Sequence, residues 1–151
     1  MKISIGADHA GYNLKQELVE HMKSLGHDVH DVGTFDSTKP DDYPDFATLV
    51  AEDIRSGKAD RGLLVCGSGV GVSVAANKFK GIRAGLCHDH YSARQGVEHD
   101  DMNVLVMGAR IIGSAMALDL ADAFLSAYFS NEERHLRRLQ KVKGIEQHEF
   151  R

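Results

Sequence analysis

The sequence predicts an α/β domain, a five-stranded parallel sheet with helices on both faces. Strand-like runs recur at Ile3-Ser4-Ile5, Asp28-Val29-His30-Asp31-Val32, Leu63-Leu64-Val65-Cys66, Ile82-Arg83-Ala84-Gly85-Leu86-Cys87 and Val104-Leu105-Val106-Met107. A helical pattern follows each of them, and that alternation is how chains build parallel sheets. A glycine-rich turn from Cys66 to Gly71 also sits between an apolar run and a helix-compatible segment, as strand-to-helix loops in such sheets do.

Each element has its own signal. Leu14, Leu18, Val19, Met22 and Leu25 recur at helical steps and mark an amphipathic helix that Gly26 stops. Phe46, Leu49, Val50 and Ile54 mark the next helix, with Pro44 in its first turn and Gly57 near its end. Right-handed crossovers place every strand-to-helix loop at one sheet edge, where ligands of open α/β sheets bind. The loops sharing that edge are Asp8-His9, the segment after Val32, Cys66 to Gly71, His88 to His90 and Gly108 to Arg110.

The C-terminal third differs. Ala115 through Phe129 is apolar on most sides, as a deeply buried helix or a subunit interface would be. Asn131 to Lys143 is strongly charged, which usually means a solvated helix face. Arg134 and Arg138 lie one helical turn apart and share a face, as an anion clamp requires.

Composition narrows the classes. At 151 residues the chain reads as one domain spanning 1–151, large enough for a core without staples. A net charge of −4 gives no case for a nucleic-acid surface. No apolar run approaches the roughly 18 residues of a membrane span. Met1 to Gly6 enters a strand at once and leaves no room for a signal peptide. Two cysteines make no disulfide framework, so a reducing cytoplasm is the expected compartment.

The turn Cys66-Gly67-Ser68-Gly69-Val70-Gly71 carries the chemistry. Alternating glycines let successive backbone N–H groups turn toward one point, making a nest for negative charge before a helix N-terminus. A thiol beside it sits where a thiolate is stabilised. An oxyanion-holding loop next to a tunable base is what proton transfer beside a carbonyl requires. Two plainer readings stand beside this one: Cys66 as a small core residue, and the loop as a simple phosphate binder. No Gly-Lys-Ser/Thr closes a Walker loop, and Val72 stands where the third glycine of a dinucleotide fingerprint belongs.

Six segments together resemble one family. They are Gly6-Ala7-Asp8-His9-Ala10-Gly11, Asp42-Tyr43-Pro44, Cys66 to Gly71, Ala75-Ala76-Asn77-Lys78, Gly81-Ile82-Arg83-Ala84 and Glu98 to Leu105. In order and spacing they are similar to the type B ribose-5-phosphate isomerase family, which also contains galactose-6-phosphate and allose-6-phosphate isomerases. The resemblance covers nearly the whole chain, through Arg134-His135-x-x-Arg138.

The resemblance implies a Rossmann-like three-layer α/β/α sandwich with a C-terminal helical extension. It implies an enzyme that interconverts aldose and ketose sugar phosphates with no metal or nucleotide cofactor. Cys66 matches the base that moves a proton between C2 and C1. Gly67, Gly69, Val70 and Gly71 match the loop whose amides hold the enediolate oxygens, and Ser68 matches a hydroxyl that helps move protons between O1 and O2. His99 matches the ring opener, with Asp8 and Tyr43 nearby. His9 and Arg110 match phosphate contacts, while Arg134 and Arg138 match contacts from the neighbouring subunit of a homodimer or a dimer of dimers.

Asp100 departs from the pattern, standing where many members carry Asn. Its charge could accept sugar hydroxyls but would repel a nearby phosphate. Cys87-His88-Asp89-His90 could be read as metal ligands, yet neighbouring side chains at a strand end diverge, and they read better as polar residues at the site mouth. The expected activity is therefore isomerisation of ribose 5-phosphate and ribulose 5-phosphate. A hexose 6-phosphate isomerase is a close rival. A non-catalytic phosphate-binding module of flavodoxin-like shape is a rival from another class, and it would need neither a base nor a ring opener.

Overall fold

The computed structural model describes residues 1–150. Its sheet is parallel throughout, in the order β2-β1-β3-β5-β4. The strands are β1 (Lys2–Ala7), β2 (Asp28–Asp31), β3 (Arg61–Cys66), β4 (Ala84–Leu86) and β5 (Val104–Gly108). Between and after them run α1 (Tyr12–Ser24), α2 (Tyr43–Arg55), α3 (Val70–Ala76), α4 (His90–Asp100), α5 (Ser114–Ser126) and α6 (Glu133–Glu149). The three-layer Rossmann-like sandwich expected from the sequence is what the chain forms.

The layers follow from alternation along the central strands. Leu63 and Val65 of β3 join Ile3, Ile5, Leu105 and Met107 on one face, packed by Leu18 and Met22 of α1, Val97 of α4, and Leu120 and Phe124 of α5. Leu64 and Cys66 point the other way, to Ala47 and Val50 of α2 and Val72 and Ala76 of α3. Side chains on a strand alternate faces, so the almost unbroken apolar run of β3 feeds both cores. Cys66 thus lies on the α2–α3 side.

Two boundaries differ from the sequence reading. The run Ile82 to Cys87 narrows to three residues of strand, because Ile82 N donates back to Phe79 O (3.1 Å) and Arg83 N to Asn103 Oδ1 (2.8 Å). Asn77 then covers the outer edge of β4: its Nδ2 donates to Ala84 O and its Oδ1 accepts from Ala84 N, both at 2.9 Å. A side-chain amide here does what a neighbouring strand would do.

The apolar helix expected over Ala115 to Phe129 stops at Ser126. Arg61, from the start of β3, ends it. The guanidinium donates to Phe124 O and to Ala127 O (2.6 Å), with the Phe124 ring 5.2 Å away. A fixed cation thereby satisfies carbonyls that the helix end leaves open. Burial between the sheet, α1 and α4 accounts for the composition of α5, so that helix supplies no separate argument for an interface.

Arg61→Met should lower stability by about 2 kcal/mol, the scale of charge-assisted bonds to carbonyls that lose their donor. Urea unfolding monitored by circular dichroism measures it. Arg61→Lys should recover only part, since one ammonium cannot serve both carbonyls in the same fork geometry.

Candidate active site at the sheet edge

Strand register builds the site. Ala7 pairs with Val65, and Cys66 with Gly108. One step beyond, Asp8 N donates to Val65 O (3.3 Å), Ala109 N to Cys66 O (2.8 Å) and Arg110 N to Gly67 O (3.0 Å). Asp8, Cys66 and the Gly108–Arg110 turn therefore stand side by side, at the spacing of about 4.8 Å between neighbouring strands. Asp8 is buried, and its Oδ1 accepts from the amides of Ala10 (3.0 Å) and Gly11 (3.1 Å), which fixes its carboxylate at the start of α1.

The glycine loop is partly as expected. Gly69 takes a left-handed φ of 84°, and a methyl there would meet the Met107 carbonyl at 3.1 Å. Gly71 is needed for a different reason: Tyr43, the first residue of α2, lays its ring where a Cβ on Gly71 would come within 2.8 Å. Gly67 needs neither explanation, since a Cβ there meets only the Arg110 side chain at ordinary contact distance. Of the three alternating glycines, Gly69 alone takes a positive φ.

The loop's donors are divided. Ser68 Oγ accepts from Val70 N at 3.3 Å, so that amide is already engaged within the loop. The first backbone bond of α3 runs from Ser73 N to Gly69 O. Among the described residues the amides of Gly71 and Val72 are left without a backbone acceptor, as helix starts leave them. Arg110 lies exposed over Gly67 and forms no ion pair among the described residues.

His9, half-buried, is held from the loop before α2. Asp41 Oδ1 accepts from the His9 amide and sits 2.9 Å from its Nδ1. Donor atoms of Asp8, His9 and Asp41 all lie within 4.8 Å of one another. Asp8 Oδ1 is committed to backbone amides and Asp41 Oδ1 to His9, which favours a hydrogen-bonded arrangement over a cage for a cation. Sequence reading missed Asp41, because Lys39-Pro40-Asp41-Asp42 reads only as a loop and its partner lies 32 residues away.

The segment Cys87 to His90 diverges, as its spacing suggested. Cys87 is buried in the α1–α5 core, where burial first, and the nearby Asp89 second, push its thiol up to about 11. His88 Nε2 accepts from Gly108 N (2.9 Å), Asp89 caps α4 through Ser92 N (2.8 Å), and His90 pairs with Asp119 (2.9 Å).

His99, Asp100, Arg134 and Arg138 lie elsewhere. Helix α4 starts at the same edge as Cys66 and runs back for 11 residues, from His90 to Asp100. At 1.5 Å per residue that carries its end about 15 Å away, to the edge where β5 begins. The expected closeness of His99 to Asp8 and Tyr43 is therefore not met within one protomer. His99 instead stacks on His135 of α6, ring centroids 4.0 Å apart, while its Nδ1 lies 2.8 Å from Gln95 Nε2. His135 is buried; desolvation, and after it His99, Arg134 and Arg138, hold it below the ordinary histidine range, so it stacks as a neutral ring. Arg134 and Arg138 are exposed on the same helix, Arg134 bonded to Glu132 (3.0 Å). Asp100 lines an apolar groove of about 600 Å³ between β4, α4 and α6, whose lining does not include Cys66.

The residues expected from the sequence therefore fall into two separate groups. One holds Asp8, His9, Tyr43, Cys66 to Gly71 and Arg110; the other holds His99, Asp100, Arg134 and Arg138. Comparison with known proteins gives the family. Residues 3–142 match the family model described as Ribose/Galactose Isomerase. The chain is 44% identical over 146 residues to ribose-5-phosphate isomerase B of Escherichia coli K12, covering 97% of each. It is 41% identical to galactose-6-phosphate isomerase subunit LacB of Clostridium acetobutylicum, over 97% of this chain and 83% of that one. The solved structure of Clostridium thermocellum ribose-5-phosphate isomerase B superposes with a TM-score of 0.95 at 47% identity, covering 98% of this chain and 99% of that one. With motifs, fold and sequence in agreement over nearly its whole length, the chain belongs to the ribose/galactose isomerase family.

Proposed function

We propose that the protein interconverts ribose 5-phosphate and ribulose 5-phosphate through an enediolate, with Cys66 as the base. The observation that carries this is the register placing Cys66 between Asp8 and the Gly108–Arg110 turn, with the free amides of Gly71 and Val72 on its own loop. A hydrogen beside a carbonyl is a weak acid until the developing oxyanion is stabilised. Each well-aimed donor contributes roughly 10²–10³ in rate, and a positioned base about 10²–10⁴. Gly67, Gly69, Val70 and Gly71 shape the loop around the enediolate oxygens, and Ser68 relays protons between them. His9 and Arg110 bind the phosphate. The steps draw on side chains and amides alone, without metal or nucleotide.

The second half-site enters from a partner. A twofold homodimer that sets the end of α4 and the start of α6 against the partner's glycine loop would supply His99 for ring opening and Arg134 and Arg138 for the phosphate. The separation along α4 supports this reading for His99 as well as for the arginines. A metabolic isomerase of this kind belongs in the cytoplasm, and no helix among the described residues is long and apolar enough to cross a membrane.

Deuterium exchange from D₂O into ribose 5-phosphate tests the chemistry. The wild-type protein should catalyse it; Cys66→Ala should lose nearly all exchange while still binding substrate. Substantial residual exchange would remove Cys66 from the role of base. A panel with allose and galactose 6-phosphates ranks the sugars by kcat/KM.

Iodoacetamide should label Cys66 well before Cys87. With its pKa at about 11, Cys87 is thiolate in only about one molecule in a thousand at pH 8. Substrate should protect Cys66, and faster labelling of Cys87 would contradict the assignment.

Subunit mixing tests the shared site. Heterodimers of Cys66→Ala with His99→Asn, or of Cys66→Ala with Arg138→Ala, carry one intact site each and should recover roughly a quarter of wild-type activity under random exchange. His99→Asn mixed with Arg138→Ala should recover none, because both defects lie in the same half-site. No recovery in the first two mixtures, with heterodimers verified, would show that these residues serve their own subunit.

A further inference from the structure

Asp41 binds His9 in an unusual way. Its Oδ1 takes both the His9 amide and the ring Nδ1, each at 2.9 Å. Its Oδ2 is buried and has no partner. With one oxygen buried and unpartnered among the described residues, the two bonds of Oδ1 to His9 are what hold this carboxylate.

The charges around His9 come from several elements. Asp8 precedes it on the same loop, and Asp41 reaches it from the loop before α2. Arg110 stands beyond β5 at the same sheet edge, against Gly67. Lys15 on α1 is already matched by Asp31 at 2.6 Å and adds little net field. Burial pushes the Asp41 carboxyl up, but chiefly the bonds from the His9 ring and amide outweigh it and hold Asp41 below the ordinary carboxylate range. Asp41 is therefore an anion beside His9 throughout the neutral range.

We propose that Asp41 is the positioning residue for phosphate capture: it keeps a proton of His9 on Nδ1 and so turns Nε2 outward, toward the phosphate. A neutral ring bonded to Asp41 through Nδ1–H presents a lone pair at Nε2, which repels phosphate oxygens. Protonation at Nε2 converts that nitrogen to a donor, and the ring then bridges two anions, Asp41 and the phosphate. The role rests on the isomerase reading only for its effect on turnover; the state of the ring is a property of the free protein.

Two measurements test it. ¹⁵N NMR of histidine-labelled, ligand-free protein should show His9 Nδ1 protonated throughout a titration, with Nε2 alone gaining and losing its proton. Asp41→Asn, whose amide oxygen still accepts, should keep that tautomer. Asp41→Ala should lose the Nδ1–H preference. In kinetics, Asp41→Asn should raise KM for ribose 5-phosphate about tenfold at pH 8, as loss of one charge-assisted contact does, with a much smaller change in kcat. Asp41→Ala should raise KM at least as much, again with little change in kcat. An Nε2–H tautomer in the wild type, or a KM unchanged in both variants, overturns the proposal. Absence of turnover with every sugar phosphate would instead sink the isomerase reading and leave the NMR outcome to judge Asp41 alone.

Discussion

Everything at the candidate site hangs on the register of β1, β3 and β5. These strands are buried on both faces, and pairing continues past their ends. Thr34 N donates to Ala7 O (2.6 Å), Ala109 N to Cys66 O and Arg110 N to Gly67 O. Close approach reinforces the pairing, since a Cβ on Gly11 would come within 2.6 Å of Val65 O and one on Gly108 within 2.6 Å of Ser68 O. The loops that carry Asp8, Cys66 and Arg110 are thus extensions of the sheet. Slipping one strand by a residue would turn Cys66 to the opposite core and break every apolar contact of that strand at once. The hydrophobic pattern therefore protects the catalytic geometry.

The same sheet limits what one protomer can do. A crossover helix must return the chain to the starting edge, so residues at the end of α4 are carried away from the loops that begin it. His99 and Asp100 occupy that far end, and the His99–His135 stack ties them to α6 and its arginines. On the proposed reading, ring opening and phosphate clamping are then gathered on one module outside the sheet, and proton transfer at the sheet edge.

Much of this was legible in the sequence, for identifiable reasons. Local periodicity governs β1, α1, α2 and β3, and there the expected elements and the observed ones agree to within a few residues. Where an end is set by a distant group, periodicity fails: α5 stops at Ser126 because Arg61 caps it, and nothing near residue 126 announces that. Asp41 escaped notice for the same reason, its partner being fixed only once the sheet has formed. The position of His99 is a different case. Its signal was present, since a helix of that length starting at the ligand edge has to end at the other. A resemblance that groups residues by role hides which end of an element carries them.

The division between edge and module bears on substrate range. Isomerisation of any aldose phosphate engages the same two carbons, and these would lie against Cys66 and the amides of its loop, whose positions the strand ladder dictates. The distance from those carbons to the phosphate is what separates pentose from hexose. On the proposed reading the groups that answer to it are His9, held by Asp41 in a loop, and Arg134 and Arg138 on a helix outside the sheet. Shifts of either can lengthen the reach by the span of one carbon without disturbing a single strand pair. A family containing both ribose and galactose isomerases is what such a partition permits: the chemistry is locked to the part of the fold least able to change, and the choice of sugar is left to the parts packed around it.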